Sequence, residues 1–270
     1  MFKFWLPLFT LCFIVSCDTK EQKQDENKLN EISQDTLNTE TAGQEEITDP
    51  EATEIWDPEP AVVTFNEQGV PSDAIVLFNG ENLDAWKSTT DTTKAASWII
   101  NNDGSFTVKP KSGDIETKQS FGDIQLHIEW RAPQEVSGES QGRGNSGIFF
   151  QKRYEVQVLD SYDNRTYSNG QATAIYKQGI PLVNATKAPS EWQTYDIIYH
   201  EPKFDSAGEK TKSGTFTVLH NGVVTQDHVE LQGTTEYIGN PKNSAHGEAP
   251  LKLQDHGNLV SYRNIWVREL

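Results

Sequence analysis

The chain has 270 residues, 40 of them acidic and 23 basic, and a formal net charge of −17 at neutral pH. This acidic balance argues against a nucleic-acid partner, because nucleic-acid binding needs a basic surface. The only two cysteines are Cys12 and Cys17. Both lie near the N-terminus, so the rest of the chain contains no thiol for catalysis, disulfides or metal ligation.

Residues 1–16 predict a signal peptide. Lys3 supplies a positive charge, and the apolar stretch 4–15 is too short to span a bilayer comfortably. The tetrapeptide "IVSC" resembles a lipobox, which implies cleavage before Cys17 and lipid on that residue. An ordinary signal peptide with a coincidental cysteine is the alternative. We therefore expect an extracytoplasmic protein, anchored only through its N-terminal lipid to a bacterial membrane, in the periplasm or at the cell surface.

Residues 17–60 predict an acidic, disordered tether. Positions 18–59 contain 14 acidic residues and three lysines, which gives a net charge of −11. Apolar residues are scattered there, so little surface can be buried to offset the entropy of ordering. Like charges extend such a segment, which would hold the remaining chain away from the membrane.

Residues 61–270 predict one all-β domain, because alternation of apolar and polar residues dominates and helical spacing is absent. In "GDIQLHIEWRA", for example, the apolar residues of 124–130 share one face. The dipeptide Asn221-Gly222 predicts a hairpin turn. In chain order, the candidate strands are AIVLFNG, SWIINNDG, SFTVK, GDIQLHIEWRA, NSGIFF, YEVQVLD, EWQTYDIIYH, GTFTVLHNGVVTQDH, APLKLQD and LVSYRNIWVREL. So many short strands favour two antiparallel sheets in a jelly-roll sandwich.

Several strands place polar residues opposite their apolar face. In "YEVQVLD", Glu155 and Gln157 share one side, and a bulge would bring Asp160 to that same side. The spacing Glu-x-Gln-x-x-Asp resembles the Glu-x-Asp-x-x-Glu signature of jelly-roll endoglucanases, whose outer carboxylates are nucleophile and acid/base. The amide at Gln157 and the shorter acid at Asp160 depart from that signature.

A second resemblance covers most of residues 61–270. Seven blocks occur in the order of the 3-keto-disaccharide hydrolase family: LFNGENLDAW, EWR, NSGIFF, YEVQVLD, AIY, EWQTYDI and LQDHGNLVSYRNIWVREL. The resemblance implies a concanavalin A-like jelly roll. Two loops, 134–144 and 202–212, are long for the pattern, and the first directly precedes the "NSGIFF" block.

The resemblance also implies a chemistry. A ketone at C3 of a glycoside acidifies the C2 hydrogen, so a base removes it, the C1 leaving group departs by elimination, and water adds back. Such a site needs a base, an acid and a group that stabilises negative oxygen. The catalytic candidates are Glu155, His256 and Asp160. The candidates for substrate binding are Glu129, Arg131, Asn145, Gln157, Gln254 and Arg263.

The sequence leaves two questions open, the cofactor and the choice between rival functions. No cofactor is certain, but a divalent metal held by Glu155, Asp160 and His256 is an alternative electrophile. The partner is a carbohydrate in every interpretation. The rival functions are a retaining endoglucanase, with Glu155 and Asp160 about 5 Å apart, and a non-catalytic glycan-binding module.

The lipobox generates the first testable prediction. The substitution Cys17→Ser removes the only acceptor for lipid, so the protein should leave the membrane fraction. Fractionation followed by a salt wash measures this. A variant that still sediments with membrane after the wash would contradict the anchor.

Overall fold

The structure is a computed structural model that describes residues 47–270. The predicted signal peptide and Cys17 lie outside the described residues, as does most of the predicted tether. The chain divides into two units between Ala61 and Val62. In the described part of the first unit, Asp49 caps a short 3₁₀ turn, Pro50–Thr53. Across residues 47–270, no helix has the length and hydrophobicity needed to cross a bilayer.

The unit that begins at Val62 consists of antiparallel sheets, which confirms the predicted all-β jelly-roll sandwich. Eight strands form one sheet in the order β13-β12-β9-β6-β15-β4-β3, with β1 beside β15, and five form the other in the order β2-β5-β14-β7-β8. A separate hairpin joins β10 and β11. The strands are β1 (Ile75–Phe78), β2 (Trp86–Ser88), β3 (Ile99–Ile100), β4 (Phe106–Thr107), β5 (Ile115–Phe121), β6 (Ile124–Arg131), β7 (Ser146–Phe150), β8 (Tyr154–Val158), β9 (Gln193–His200), β10 (Lys203–Phe204), β11 (Lys210–Lys212), β12 (Thr215–His220), β13 (Val223–Glu230), β14 (Ala249–Leu253) and β15 (Ser261–Glu269).

The core lies between the two sheets. The Phe150 ring of the smaller sheet packs on Tyr199 and Phe216 of the larger one, with ring centroids 4.9 Å apart in both pairs. Two tyrosine hydroxyls also cross the core. Tyr195 donates to the Gln157 carbonyl at 3.1 Å, and the Tyr262 hydroxyl lies 2.7 Å from Ser146 Oγ. These contacts fix β7 and β8 against the larger sheet.

Local sequence signals account for several elements. Strand β6 alternates without interruption between buried and partly exposed residues, as its pattern predicts. Asn221 and Gly222 join β12 to β13 with φ values of 53° and 80°, the left-handed conformation that both residues tolerate.

The outer face of the larger sheet carries a charge network centred on His127. Its Nδ1 lies 2.7 Å from Asp196 Oδ1, and its Nε2 lies 3.8 Å from Glu129 Oε1. The ring stacks on Trp266 with centroids 5.0 Å apart. Burial alone would lower the pKa of His127, but the hydrogen bond to Asp196 and the nearby Glu129 carboxylate outweigh it and raise the pKa to about 9.

This network makes stability depend on pH. Because the folded pKa of His127 exceeds the unfolded value near 6.5, its contribution is complete below about pH 6.5 and disappears as the pH rises through 9. His127→Gln should therefore lower Tm by several degrees at pH 6, which corresponds to about 1–3 kcal/mol, and by much less at pH 10. Thermal denaturation followed by circular dichroism measures both. His228→Asn, at an exposed position of β13, is the control, and an equal loss of Tm at both pH values would contradict the account.

Candidate active site

A cleft of about 770 Å³ lies on the outer face of the smaller sheet. It forms there because β8 turns Tyr154, Val156 and Val158 into the core and its two alternate residues away from it. The side chains around the cleft are mostly amides, hydroxyls and aromatic rings. They belong to Ser140, Gln141, Gly142, Asn145, Phe149, Glu155, Gln157, Tyr167, Tyr176, Thr235, Tyr237, Gln254 and His256.

The Glu155 side chain lies in this cleft with only 5% of its surface exposed. Phe149 is its partner across β7, and Lys252 is the partner of Phe149 across β14. The Lys252 ammonium lies 3.8 Å from the centroid of the Phe149 ring and 2.8 Å from Asp114 Oδ2. Lys252 therefore already has a carboxylate partner other than Glu155.

Burial determines the protonation of Glu155. Removal from water disfavours the carboxylate, Asp114 adds to the effect, and Lys252 opposes it, so the pKa of Glu155 rises to about 8. The side chain is therefore mostly uncharged at neutral pH. A strongly raised pKa in a cleft is typical of a functional carboxyl group.

Two backbone features hold Glu155 in place. Gly147 lies opposite Gln157 on β7, and a Cβ at Gly147 would collide with Glu155 Oε1 and come within 2.8 Å of the Phe149 ring. On the other edge of β8, the Glu155 amide donates to Thr235 Oγ1 at 3.0 Å. The glycine thus leaves the space that the buried carboxyl group occupies.

The Gln157 amide connects the strand to the loop before β7. Its Nε2 donates to Gln141 Oε1 at 3.0 Å. A half-turn of the amide would instead bring its nitrogen within 3.2 Å of Glu155 Oε1 and 3.1 Å of the Ser146 carbonyl. Asn145 Nδ2 also reaches this loop and donates to the Gln141 carbonyl at 2.7 Å. The result is a set of amides with donors and acceptors at the cleft wall.

His256 reaches the cleft from the loop that follows β14. The loop is fixed at its base, because the backbone N–H of Gln254 donates to the Gly147 carbonyl at 3.0 Å. The Asp255 carboxylate accepts from the amides of Gly113 and Gly257, at 3.1 and 3.0 Å. Asp255 therefore holds the turn, while His256 is exposed at the edge of the cleft.

Eight residues that line the cleft were not predicted from the sequence, among them Gln141, Tyr167, Tyr176 and Tyr237. Gln141 lies in the loop 134–144, whose length was the only available signal. The hydroxyls of Tyr167 and Tyr176 lie 2.5 Å apart, and Tyr176 belongs to the "AIY" block. Tyr237 is 76% exposed, and its carbonyl accepts from Lys177 Nζ at 2.7 Å.

Asp160 does not share the cleft with Glu155, and β8 pairs with β7 without the bulge that would have placed it there. Strand β8 ends at Val158, and the Asp160 carboxylate accepts from Arg143 Nε at 2.7 Å and from the Tyr162 amide at 3.2 Å. It lines a separate cavity of about 360 Å³. The proposed metal ligands Glu155, Asp160 and His256 are consequently not assembled, and residues 47–270 contain no group of three His, Cys, Asp or Glu side chains placed to hold a metal ion.

Three other candidates for substrate binding lie on the opposite side of the sandwich. Glu129, Arg131 and Arg263 belong to β6 and β15 and project from the outer face of the larger sheet. None of them lines the cleft. The prediction that they bind substrate together with Glu155 is therefore corrected. Strands β6 and β15 belong to the larger sheet, so these side chains project away from the cleft.

An antiparallel sandwich with an amide- and tyrosine-lined cleft on one sheet face is suited to carbohydrate binding. The family described as 3-keto-alpha-glucoside-1,2-lyase-like domain matches residues 73–268. The chain belongs to this family, as its sequence blocks predicted. No match was found among curated proteins.

Solved structures agree with this assignment. A crystal structure from Parabacteroides distasonis ATCC 8503, provisionally named a glycosyl hydrolase, is 52% identical, with 82% of this chain and 97% of that chain covered at a TM-score of 0.78. A second protein from the same organism, also provisionally named a glycosyl hydrolase, is 21% identical, with 73% and 94% covered at a TM-score of 0.54, and supports the fold. Family and fold together indicate a glycosyl hydrolase-like, carbohydrate-active protein.

The space beside Gly147 gives a prediction about the site. Gly147→Ala would place a methyl group where Glu155 and Phe149 pack, so it should destabilise the domain by about 1–3 kcal/mol, as overpacking does. Gly142→Ala is the matched control, since a Cβ there meets no atom within 4 Å. Thermal denaturation compares the two. Equal Tm values for both variants would show that Glu155 does not depend on the glycine.

Proposed function

We propose that the cleft cleaves 3-keto-glycosides by elimination followed by hydration. The observation that carries the proposal is the buried Glu155 carboxyl group, whose pKa of about 8 keeps it protonated at neutral pH among hydrogen-bonding amides. Membership of the family supports the same substrate class. Anchoring outside the cytoplasm through Cys17 remains part of the proposal and would give the domain access to glycans.

In this mechanism, His256 and Glu155 move the two protons. His256 takes the C2 proton, which the neighbouring C3 ketone acidifies. The electron pair left at C2 forms the double bond between C1 and C2, and the bond from C1 to the leaving oxygen breaks. Glu155 gives its proton to that oxygen. In the second step, Glu155 takes a proton from water, the water oxygen bonds to C1, and His256 returns its proton to C2. Both residues regain their starting forms, and the net result is hydrolysis.

The amides of the cleft supply orientation. Asn145, Gln157 and Gln254 present donors and acceptors that neither gain nor lose protons at neutral pH, so they suit sugar hydroxyls and the C3 ketone oxygen. Donors directed at that oxygen stabilise the charge that develops on it when the C2 proton leaves.

The structure argues against the endoglucanase alternative. A retaining mechanism needs two carboxyl groups about 5 Å apart on either side of the bond. Glu155 is the only carboxyl side chain among the residues that line the cleft, and Asp160 is held in another cavity by Arg143. A glycan-binding module without catalysis would use the same cleft, and substrate turnover separates it from the proposal.

Substrate choice tests the proposal directly. A 4-nitrophenyl glucoside oxidised at C3 should release nitrophenol, whereas the parent glucoside should not, because only the ketone acidifies C2. Glu155→Gln and His256→Ala should each lower turnover about 10²–10⁴-fold. Glu139→Gln, at an exposed position outside the cleft lining, is the matched control. Near-normal turnover in both cleft variants, with native circular dichroism, would reject the mechanism.

The pH profile distinguishes the roles of the two residues. If Glu155 is the acid, kcat/KM should fall as the pH rises through about 8, because the carboxyl group then loses the proton it must donate. This descending limb should be absent from the residual activity of Glu155→Gln. Activity that instead rises up to pH 8 would make Glu155 the base.

A further inference from the structure

The larger sheet contains a gap on its outer face. Strands β1 and β4 both pair with the same edge of β15, one after the other: Phe78 is opposite Ile265, and Phe106 is opposite Tyr262. Arg263 and Asn264 lie between these pairs and have no partner on that edge among the described strands. A cavity of about 560 Å³ opens at this position, lined by Asn66, Gln68, Val70, Val76, Phe78, Asn79, Gly104, Glu129, Arg263 and Asn264.

A bulge in β15 builds the polar side of this cavity. The register between β15 and β6 shifts between Arg263 and Trp266, and Asn264 has a φ of 44°. The shift lets Asn264 Nδ2 donate to Glu129 Oε1 at 3.0 Å, while Arg263 Nε donates to Glu129 Oε2 at 2.7 Å. Both carboxylate oxygens are thus fixed. The Arg263 guanidinium is also braced 4.1 Å above the Trp192 ring.

The opposite side of the cavity carries apolar side chains. Val76 and Phe78 come from β1, and Val70 comes from the segment before that strand. The cavity therefore has apolar side chains, with amides among them, on the side of β1, and the polar groups of Glu129, Arg263 and Asn264 on the other side. A pyranose ring has the same division, because its C–H groups form an apolar patch and its hydroxyls surround it.

The charges around the cavity are paired with each other. Salt bridges join Arg263 to Glu129, Arg131 to Asp103 and Arg268 to Asp73, each at 2.6–2.7 Å. A surface with paired charges has little attraction for a charged ligand and favours a neutral one. The exposed amides Asn66, Gln68 and Asn79 add donors at the rim.

We propose that this gap is a second, non-catalytic binding site for a neutral glycan chain, on the face of the sandwich opposite to the cleft. A neighbouring depression of about 510 Å³ shares Gln68 with it and extends along the sheet past His127 and Trp266, which gives room for more than one sugar. The inference rests on the carbohydrate class of the protein and not on the reaction in the cleft. Bound at this site, a polymer would keep the domain near its substrates.

Affinity electrophoresis of the purified full-length protein tests this site. The native gels contain glycogen, laminarin, mannan or arabinoxylan as neutral polymers, and alginate as a charged one. The variant Gln68→Ala/Asn79→Asp removes two amide donors and keeps the Asn79 oxygen, which accepts from the Glu81 amide. We expect retardation by at least one neutral polymer and a dissociation constant about tenfold higher for the variant. Gln134→Ala, at an exposed position outside the cavity, is the matched control and should bind normally.

The catalytic variant and the polymer panel separate this site from the cleft. Glu155→Gln should keep full retardation, so loss of turnover and loss of binding are separable. Absence of retardation in every neutral gel, retardation by alginate alone, or equal retardation of the double variant would overturn the proposal. Self-association of the protein that the same double variant abolishes would show that the face binds a second copy of the chain instead.

Discussion

The placement of one uncharged acid, Glu155, on the outer face of a sheet determines the chemistry that the cleft can perform. An exposed carboxyl group at this strand position would be ionised at neutral pH. Here the Phe149 ring, the missing side chain at Gly147 and the loop that carries Thr235 leave it 5% exposed. Because no basic side chain forms a salt bridge with it among the described residues, burial raises its pKa to about 8.

The two outer faces of the sandwich each carry a largely buried glutamate, but the two carboxyl groups differ in their charge state. On the larger sheet, burial would raise the pKa of Glu129, but the nearby His127 and the hydrogen bonds from Asn264 and Arg263 outweigh it and lower the pKa to about 2. On the smaller sheet, Lys252 forms a salt bridge with Asp114 instead, and its opposing effect on Glu155 does not outweigh burial. An acid that is stabilised as an anion holds a structure together or binds a hydroxyl. An acid that stays neutral can donate a proton, which is why the cleft and not the charged face is the candidate for catalysis.

The sequence predicts which face of its strand a side chain occupies better than it predicts which residues from other strands lie beside it. Alternation correctly separates the core face of β6 from its outer face and places Glu155 and Gln157 on one side of β8. The same alternation cannot say which sheet a strand joins, so Glu129 and Arg263 were grouped with residues from the other side of the sandwich. Gln141 and Tyr237 reach the cleft from loops, where no periodicity exists. Asp160 was misplaced because the partner that holds it, Arg143, is 17 positions away in the chain.

The central claim is that Glu155 is uncharged at neutral pH, and its own titration tests this most directly. Infrared difference spectroscopy follows the carbonyl stretch of a protonated carboxyl group as the pH changes, and comparison with Glu155→Gln assigns the band. The account predicts a protonated band that persists at pH 7 and disappears with a midpoint near pH 8. A midpoint near 4.5, the value of an ordinary glutamate, would contradict the account, because the cleft would then hold a carboxylate and not an acid.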